Sequence, residues 1–396
     1  MPPNNCWALE PKPSPQRIDL TSEVPRQLDD DTNARHTFQM INKEYSLIPA
    51  LQKIFDEILV NATDNQLRNP KSCTRLEVSI DPGDSVENRE PKIQIWNNGK
   101  GIPIQIHKEE KMYVPELVFG HLLTGSNFDD TEKRLTGGRH GYGAKLTNIF
   151  SKSFTIDTVD SRRRLRYTQT WNNNMTKSGD PQITKLDGDD GKLHDYTCIT
   201  FVPDMERLSG EEKTTIINDQ DYIVMCRRVI DAAGCSAGKL QVYLNGSDVS
   251  MESFSDYVNL YRSNEEESST MCYTSIGSRW NVGVGLSESN SFESVSFVNG
   301  MATSRGGTHV NSIVNQVAKY IQEKAIKLDP SLSTIVTSGL VKRNLFLACN
   351  AYIENPTFDS QMKEYLTSSP STFGSSFSLS ERFEKMLRTL ENTSFM

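Results

Sequence analysis

The chain has 396 residues, with 43 Lys and Arg against 51 Asp and Glu, a formal net charge of −8. At roughly 100–200 residues per domain, this length predicts two or three domains with cores of their own. No apolar run reaches the ~18 residues that cross a bilayer, and no apolar leader opens the chain, so no membrane partner is expected. Seven cysteines without a CxxC pair argue against a zinc ribbon or disulfide framework, and the acidic balance gives no whole-chain sign of nucleic acid.

Residues 1–44 read as an irregular N-terminal arm, with Pro2, Pro3, Pro11, Pro13, Pro15 and Pro25 in its first thirty positions. Pro49 then suits a helix first turn, and Leu51, Phe55, Ile58, Leu59 and Ala62 recur on one side of that helix. Strands are expected at 75–81 and 92–96, a helix at 113–123, and strands at 153–159, 163–171 and 196–202. A helix over 220–232 and a strand over 239–244 follow. The mixture predicts an α+β fold. A boundary is expected near 245–270. Beyond it come strands at 280–286 and 291–298, a helix at 308–326 and a strand at 341–352. Ser378 with Glu381 three residues on is a capping-box signature for a last helix. That helix meets no stop signal, which suggests that the chain is part of a longer one.

Three segments carry chemistry. On the helix over 49–65, Glu57, Asn61 and Asp64 share a narrow stripe beside the apolar face, with Asn65 at its edge. An amide oxygen there can ligate Mg²⁺ and a carboxylate can take a proton from water; a solvated polar face is the plainer reading. The second segment is Trp96–Pro103, where Asn97-Asn98-Gly99-Lys100-Gly101 ends a strand. It is either an ordinary turn or a place where backbone comes close to a ligand. The third is Thr136–Lys145, with Gly137, Gly138, Gly141 and Gly143 interleaved with Arg139, His140, Tyr142 and Lys145. Free backbone N–H groups, a following helix and a lysine favour phosphate binding over a flexible loop. It is neither a Walker A loop nor a dinucleotide fingerprint, which fails at Leu146.

In this order and spacing, the three segments resemble the nucleotide-binding boxes of the GHKL ATPases. Phe55–Asn61, Ile95–Pro103, Tyr113–Leu123, Gly137–Lys145 and Ile353–Ser360 are similar, more closely, to the ATPase region of eukaryotic type IIA DNA topoisomerases. The resemblance implies a GHKL (Bergerat) sandwich of helices on a mixed sheet over 45–245, and a transducer domain of ribosomal-S5-like α/β type over 246–396. It implies ATP and Mg²⁺ as cofactors, and as partners double-stranded DNA, a second copy of the chain and the DNA-cleavage core of the same polypeptide. The nucleus is the compartment it suggests, with a mitochondrion or kinetoplast-like organelle as the alternative.

Carried over by position, Glu57 would activate water, Asn61 would hold Mg²⁺ and Asn65 would support the nucleotide. Asn97 would read the adenine amino group, with Thr197 nearby. Ser126 and Asn127 would contact ribose and phosphate, and Gly138, Arg139, His140, Gly141, Tyr142, Gly143, Ala144 and Lys145 would wrap the triphosphate. From the second domain, Gln361, Met362 and Lys363 would serve the nucleotide, with Lys363 as the cation for the γ-phosphate. Three positions depart from the family pattern, namely Gly125, His140 and Met362. Residues 1–44 do not match the segment with which the family closes its dimer. An acidic metal cluster and a cleavage tyrosine are not found, so this stretch is expected to hydrolyse ATP but not to cut DNA. A chaperone-like or repair-type clamp and a nucleotide-binding regulatory module are the competing readings. The run Arg162, Arg163, Arg164 and Arg166 reads as a solvated strand edge or, less simply, a DNA contact.

Overall fold

The computed structural model describes residues 4–11, 38–121, 135, 142–187, 193–261, 271–287 and 289–394. The chain divides into two compact units, the first ending at Ser253 and the second running on from Phe254. The boundary expected at 245/246 lies slightly ahead of that division.

In the first unit, strands β1 (Asn4–Pro11) and β2 (Phe38–Tyr45) pair antiparallel, Asn4 opposite Tyr45 and Pro11 opposite Phe38. This corrects the expectation of an irregular arm over 1–44 at residues 4–11 and 38–44; the rest of that arm lies outside the described residues. Pro11 is the last residue of its strand, where no interior ladder bond is lost.

Helix α1 (Pro49–Arg68) opens with proline in its first turn and buries Leu51, Ile54, Phe55, Ile58, Leu59 and Ala62. Strands β3 (Arg75–Asp81) and β4 (Lys92–Asn98) alternate buried and open positions, as a half-buried sheet requires. Helices α2 (Val114–Gly120) and α3 (Gly143–Ile149) precede β5 (Ser151–Asp160), β6 (Leu165–Asn172), β7 (Lys177–Ser178), β8 (Gln182–Lys185) and β9 (Tyr196–Pro203). Then come α4 (Met205–Leu208), α5 (Asp219–Ser236), β10 (Gln241–Leu244) and β11 (Ser247–Asp248).

The strands form one sheet in the order β11-β10-β3-β4-β9-β5-β6-β7, with β8 also on β6. The β10–β3 pairing is parallel and the others antiparallel, which makes the sheet mixed. Helices α3 and α5 each pack against α1, and all three lie on this sheet. The core there joins Phe55 and Leu59 to Val78, Ile95, Phe154, Ile156, Phe201 and, from α5, Met225 and Val229.

The strand expected over 163–171 begins at Leu165 instead. Ser161–Arg164 is a turn in which Arg164 takes a left-handed φ of 55°. Arg162, Arg163 and Arg164 therefore sit on the turn and only Arg166 on the strand. Arg163 pairs with Asp160 at 2.7 Å and Arg166 with Asp157 at 2.6 Å, so these two charges are spent within the fold.

The second unit contains α6 (Phe254–Asn259), β12 (Cys272–Ile276), β13 (Trp280–Leu286), β14 (Glu293–Val298), β15 (Met301–Ala302), α7 (Thr308–Leu328), α8 (Ser338–Arg343), β16 (Leu345–Ala351) and α9 (Glu381–Ser394). Its sheet has the order β12-β13-β16-β14-β15, with β14 and β16 parallel. Val310, Ile313, Val314, Val317 and Ile321 of α7 close one core with Val282, Val284, Leu347 and Cys349.

Two expectations fail here for local reasons. The strand expected over 341–352 starts only at Leu345, because Thr337 accepts from the Leu340 amide at 3.2 Å and caps a short helix first. The last helix is capped by Ser380, whose hydroxyl accepts from the Phe383 amide at 3.2 Å, and not by Ser378. Among the described residues, no helix is long and apolar enough to cross a membrane.

Candidate active site

Glu57 stands on a helix tied down at several points. At its start, Ile48 supplies no side-chain cap, and Asp221 of α5 takes that role by accepting from the Ile48 amide at 3.0 Å. Gln52 and Asn218 also donate to the Asp221 carboxylate, each at 2.8 Å. Burial pushes this carboxyl above its usual range, and those donors oppose the push. Mid-helix, buried Arg228 bridges Asp56 at 2.8 Å and Asp231 at 2.7 Å. From α3, the Thr147 hydroxyl donates to the Ile54 carbonyl at 2.9 Å. Near the C-terminal end, the Asn65 amide donates to the Lys100 carbonyl at 3.2 Å.

On this frame Glu57 is buried, and Lys53 one turn earlier pairs with its Oε1 at 2.7 Å. On the other side lies Gly143. A Cβ added there would come within 1.9 Å of Glu57 Oε2, so any larger residue at this point of α3 would displace the carboxylate. Asn61, one turn on, is exposed, and Asn65 is half-buried. Asp64, placed on the same stripe by the sequence, is instead buried. Asn69 donates to Asn65 Oδ1 at 2.8 Å, which fixes that side chain.

The strand-end turn is equally constrained. Asn97 continues the buried row of Ile93 and Ile95 on β4, a polar residue where alternation calls for an apolar one. Its Nδ2 donates to the Asn98 carbonyl at 2.8 Å and approaches Cys73 Sγ at 3.9 Å, an arrangement that commits the amide nitrogen and leaves Oδ1 as the acceptor. Burial pushes the Cys73 thiol up to about 11 and keeps it neutral. Thr197 lies directly opposite Asn97 on β9, and Thr158 of β5 lies opposite Thr197, so the three polar residues line up across the central strands. Asn98 works within the fold. Its Oδ1 accepts from the Thr74 and Arg75 amides, each at 2.8 Å. Gly99 has φ +99°, and any Cβ there would collide with Cys73; one on Gly101 would meet the Val159 carbonyl at 2.0 Å.

Of the glycine loop, Tyr142, Gly143, Ala144 and Lys145 are described; Ser126, Asn127, Gly138, Arg139, His140 and Gly141 lie outside the described residues. Lys145 is buried at the start of α3, and burial pulls its ammonium down to about 8. Glu57, Asn61, Asn65, Asn97, Thr197 and Tyr142–Lys145 thus all belong to the first unit.

Gln361, Met362 and Lys363 belong to the second unit, on a turn where Gln361 and Met362 are exposed and Lys363 has φ +61°. The turn is tied down by Arg305, which pairs with Asp359 at 2.7 Å and whose amide donates to the Glu364 carbonyl at 3.0 Å. In Gly306-Gly307-Thr308-His309, Gly307 packs against Leu366 where a Cβ would collide, and His309 is wholly buried beside Thr303.

Residues 47–178 match the model of the histidine kinase-, DNA gyrase B-, and HSP90-like ATPases, and residues 253–395 match that of DNA gyrase B. The ATPase and transducer domains of DNA topoisomerase II from Balamuthia mandrillaris superpose with a TM-score of 0.81 at 45% identity, covering 90% of this chain and 87% of that one. The chain belongs to the DNA topoisomerase II family. The ATPase region of Saccharomyces cerevisiae topoisomerase II agrees, with a TM-score of 0.78 at 42% identity over 90% of this chain and 88% of that one. DNA topoisomerase 2 of Pisum sativum is 43% identical over 359 residues, which is 90% of this chain and 23% of that protein. Across the first curated relatives the chain spans 20–23% of their length.

Within this topoisomerase II fold, the first unit is the GHKL sandwich and the second the transducer. Three side chains at the site escaped the sequence reading. Lys53 could have been found from its i,i+4 spacing to Glu57. Thr158 and Asp160 hold the segment after the glycine turn, accepting from the Ile102 amide at 3.3 Å and the Ile104 amide at 3.1 Å. No local signal announces them, because they come from a strand more than fifty residues away.

Proposed function

We propose that this chain is the ATP-operated gate of a type II DNA topoisomerase. Two copies close around duplex DNA when ATP is bound, and hydrolysis reopens them. The observation that carries the reading is Glu57, a buried carboxylate on a helix tied at several points, wedged between Lys53 and a glycine that opens α3. A solvated polar face needs no such seat.

The residues present fit a nucleotide. Gly99, Gly101 and Gly143 sit where a side chain would collide, and the buried Asn97 offers an acceptor on the row it shares with Thr197. Bound ATP with Mg²⁺ would supply the phosphoryl group that water attacks. Glu57 takes the proton from that water. Asn61, exposed one turn on, offers the hard oxygen that Mg²⁺ prefers. Asn97 accepts from an amino group and disfavours a carbonyl at the same place, which selects adenine over guanine. Asn65 and Thr197 support the nucleotide, while Ser126, Asn127 and Gly138–Lys145 hold ribose and phosphates. Gln361, Met362 and Lys363 are assigned to the γ-phosphate on the family resemblance. That resemblance also supports the homodimer, the attached DNA-cleavage core and a nuclear location.

Glu57→Ala is expected to keep binding of a non-hydrolysable ATP analogue while slowing hydrolysis roughly 10²–10⁴-fold. Hydrolysis at the wild-type rate would overturn the assignment. Within the whole topoisomerase polypeptide, duplex DNA is expected to stimulate ATP turnover, with steep loss as salt rises.

A further inference from the structure

A glutamate has three side-chain torsions, and the last is broad, so a buried carboxylate needs a partner to fix which way its oxygens point. A general base must be held closely, since a misplacement of about 1 Å costs on the order of 10²-fold in rate. Among the described residues, the charged partner of the Glu57 carboxylate is Lys53, with Nζ 2.7 Å from Oε1 in an ion pair that lacks hydrogen-bond alignment. Their side chains retain only 16% and 10% exposure, so this is not the solvent-screened helix-surface pair that an i,i+4 spacing usually produces. Gly143 confines the same carboxylate from the Oε2 side. The stability of α1 does not need the pair, because Asp221, Arg228, Thr147 and Asn65 already tie the helix to its surroundings.

We propose that Lys53 is a positioning residue for ATP hydrolysis. Its ammonium charge holds the carboxylate at Oε1 and leaves Oε2 to accept the proton from the attacking water. The role rests on Glu57 being the general base. Lysine serves here as a fixed cation at one oxygen; it takes no part in the proton transfer and touches neither nucleotide nor water.

The test compares Lys53→Met, Lys53→Arg, Glu57→Gln and the Lys53→Met/Glu57→Gln double variant in single-turnover hydrolysis of radiolabelled ATP. Binding of a non-hydrolysable ATP analogue and thermal melting are measured alongside. Lys53→Met is expected to lower the hydrolysis rate about 10–100-fold with analogue affinity within about twofold of wild type, while Lys53→Arg recovers most of the rate. The double variant is expected to be no slower than Glu57→Gln, because a residue acting only through Glu57 has nothing left to position. In nucleotide-free protein carrying carboxyl-¹³C glutamate, the signal that disappears in Glu57→Gln is expected to shift in Lys53→Met and to stay near its place in Lys53→Arg.

Wild-type hydrolysis by Lys53→Met with a slow Glu57→Gln would overturn this proposal and leave the general-base reading intact. A double variant slowed by the full Lys53→Met factor would also overturn it, since Lys53 would then act independently of Glu57. An unmoved glutamate signal in Lys53→Met would do the same. Wild-type hydrolysis by Glu57→Gln would instead overturn the general-base reading, and this proposal with it.

Discussion

Gly143→Ala separates catalysis from stability at the site. The new Cβ would stand 1.9 Å from Glu57 Oε2, 2.7 Å from its Cδ and 3.0 Å from its Cβ. Ordinary contact begins near 3.4 Å, so the oxygen must retreat by about 1.5 Å. That oxygen is the tip of a flexible side chain, and it can swing away at a cost of about 1 kcal/mol for an off-minimum torsion. Replacing glycine in a helix returns up to about 1 kcal/mol, so the net change in stability is small. For a unit of this size the melting temperature should stay within ~4 °C of wild type. Catalysis has no such reserve. A base displaced by more than 1 Å should lose about 10²-fold in turnover or more. Steady-state ATPase assays, analogue binding and a thermal melt on one preparation provide the comparison. Turnover within about threefold of wild type would refute the reasoning, because the carboxylate position would then not matter to the chemistry.

Burial has already moved Lys145 to about 8, so near that pH only part of the population carries the charge. A triphosphate beside it favours the ammonium, and nucleotide binding at pH 8 should take up as much as about half a proton per chain. Calorimetry in buffers of different ionisation enthalpy measures this, and zero uptake would detach Lys145 from the phosphates. In the second unit, burial holds His309 down to about 3 from 6.5. The unfolded chain binds that proton below pH 6.5 while the folded one refuses it until about pH 3. Stability contributed by the neutral ring is therefore intact above pH 6.5 and is lost as pH falls toward 3, by up to about 1.4 kcal/mol per pH unit. Urea melts at pH 7 and pH 5 should show a shallower acid loss in His309→Asn than in wild type; equal losses would assign the acid sensitivity elsewhere.

What could be read in advance was whatever repeats locally. The apolar side of α1, the strand into Asn97-Asn98-Gly99 and the helix from Thr308 all declare themselves through spacing and breakers. So does the order of the three nucleotide-box segments, which no single segment could have carried. The reading failed where a distant partner or a competing cap decides the outcome. The early prolines concealed β1, which contains one of them, Pro11, at its last residue. Ser378 and Ser380 both suit a helix start, and the hydrogen bond of the Phe383 amide chooses the second. The wedge of Gly143 against Glu57 joins residues in different elements, and no periodicity predicts which glycine must face which carboxylate.

The cap on α1 also has a bearing on the order in which the protein is made. Asp221 emerges from the ribosome long after Ile48, the amide it satisfies across 173 positions of sequence. Arg228, the buried mate of Asp56, comes later still. Strand β10, which lies parallel beside β3, is added after both. A nascent chain that has reached only β9 holds every candidate site residue described in the first unit, yet the helix bearing Glu57 lacks its cap and its buried ion pair. Assembly of this half must therefore wait on its own C-terminal segment, and such long-range closure is the slow, exposed step of a fold. Substitutions in α5, far in sequence from any nucleotide contact, should accordingly be felt as poor yield during synthesis before they are felt as poor catalysis.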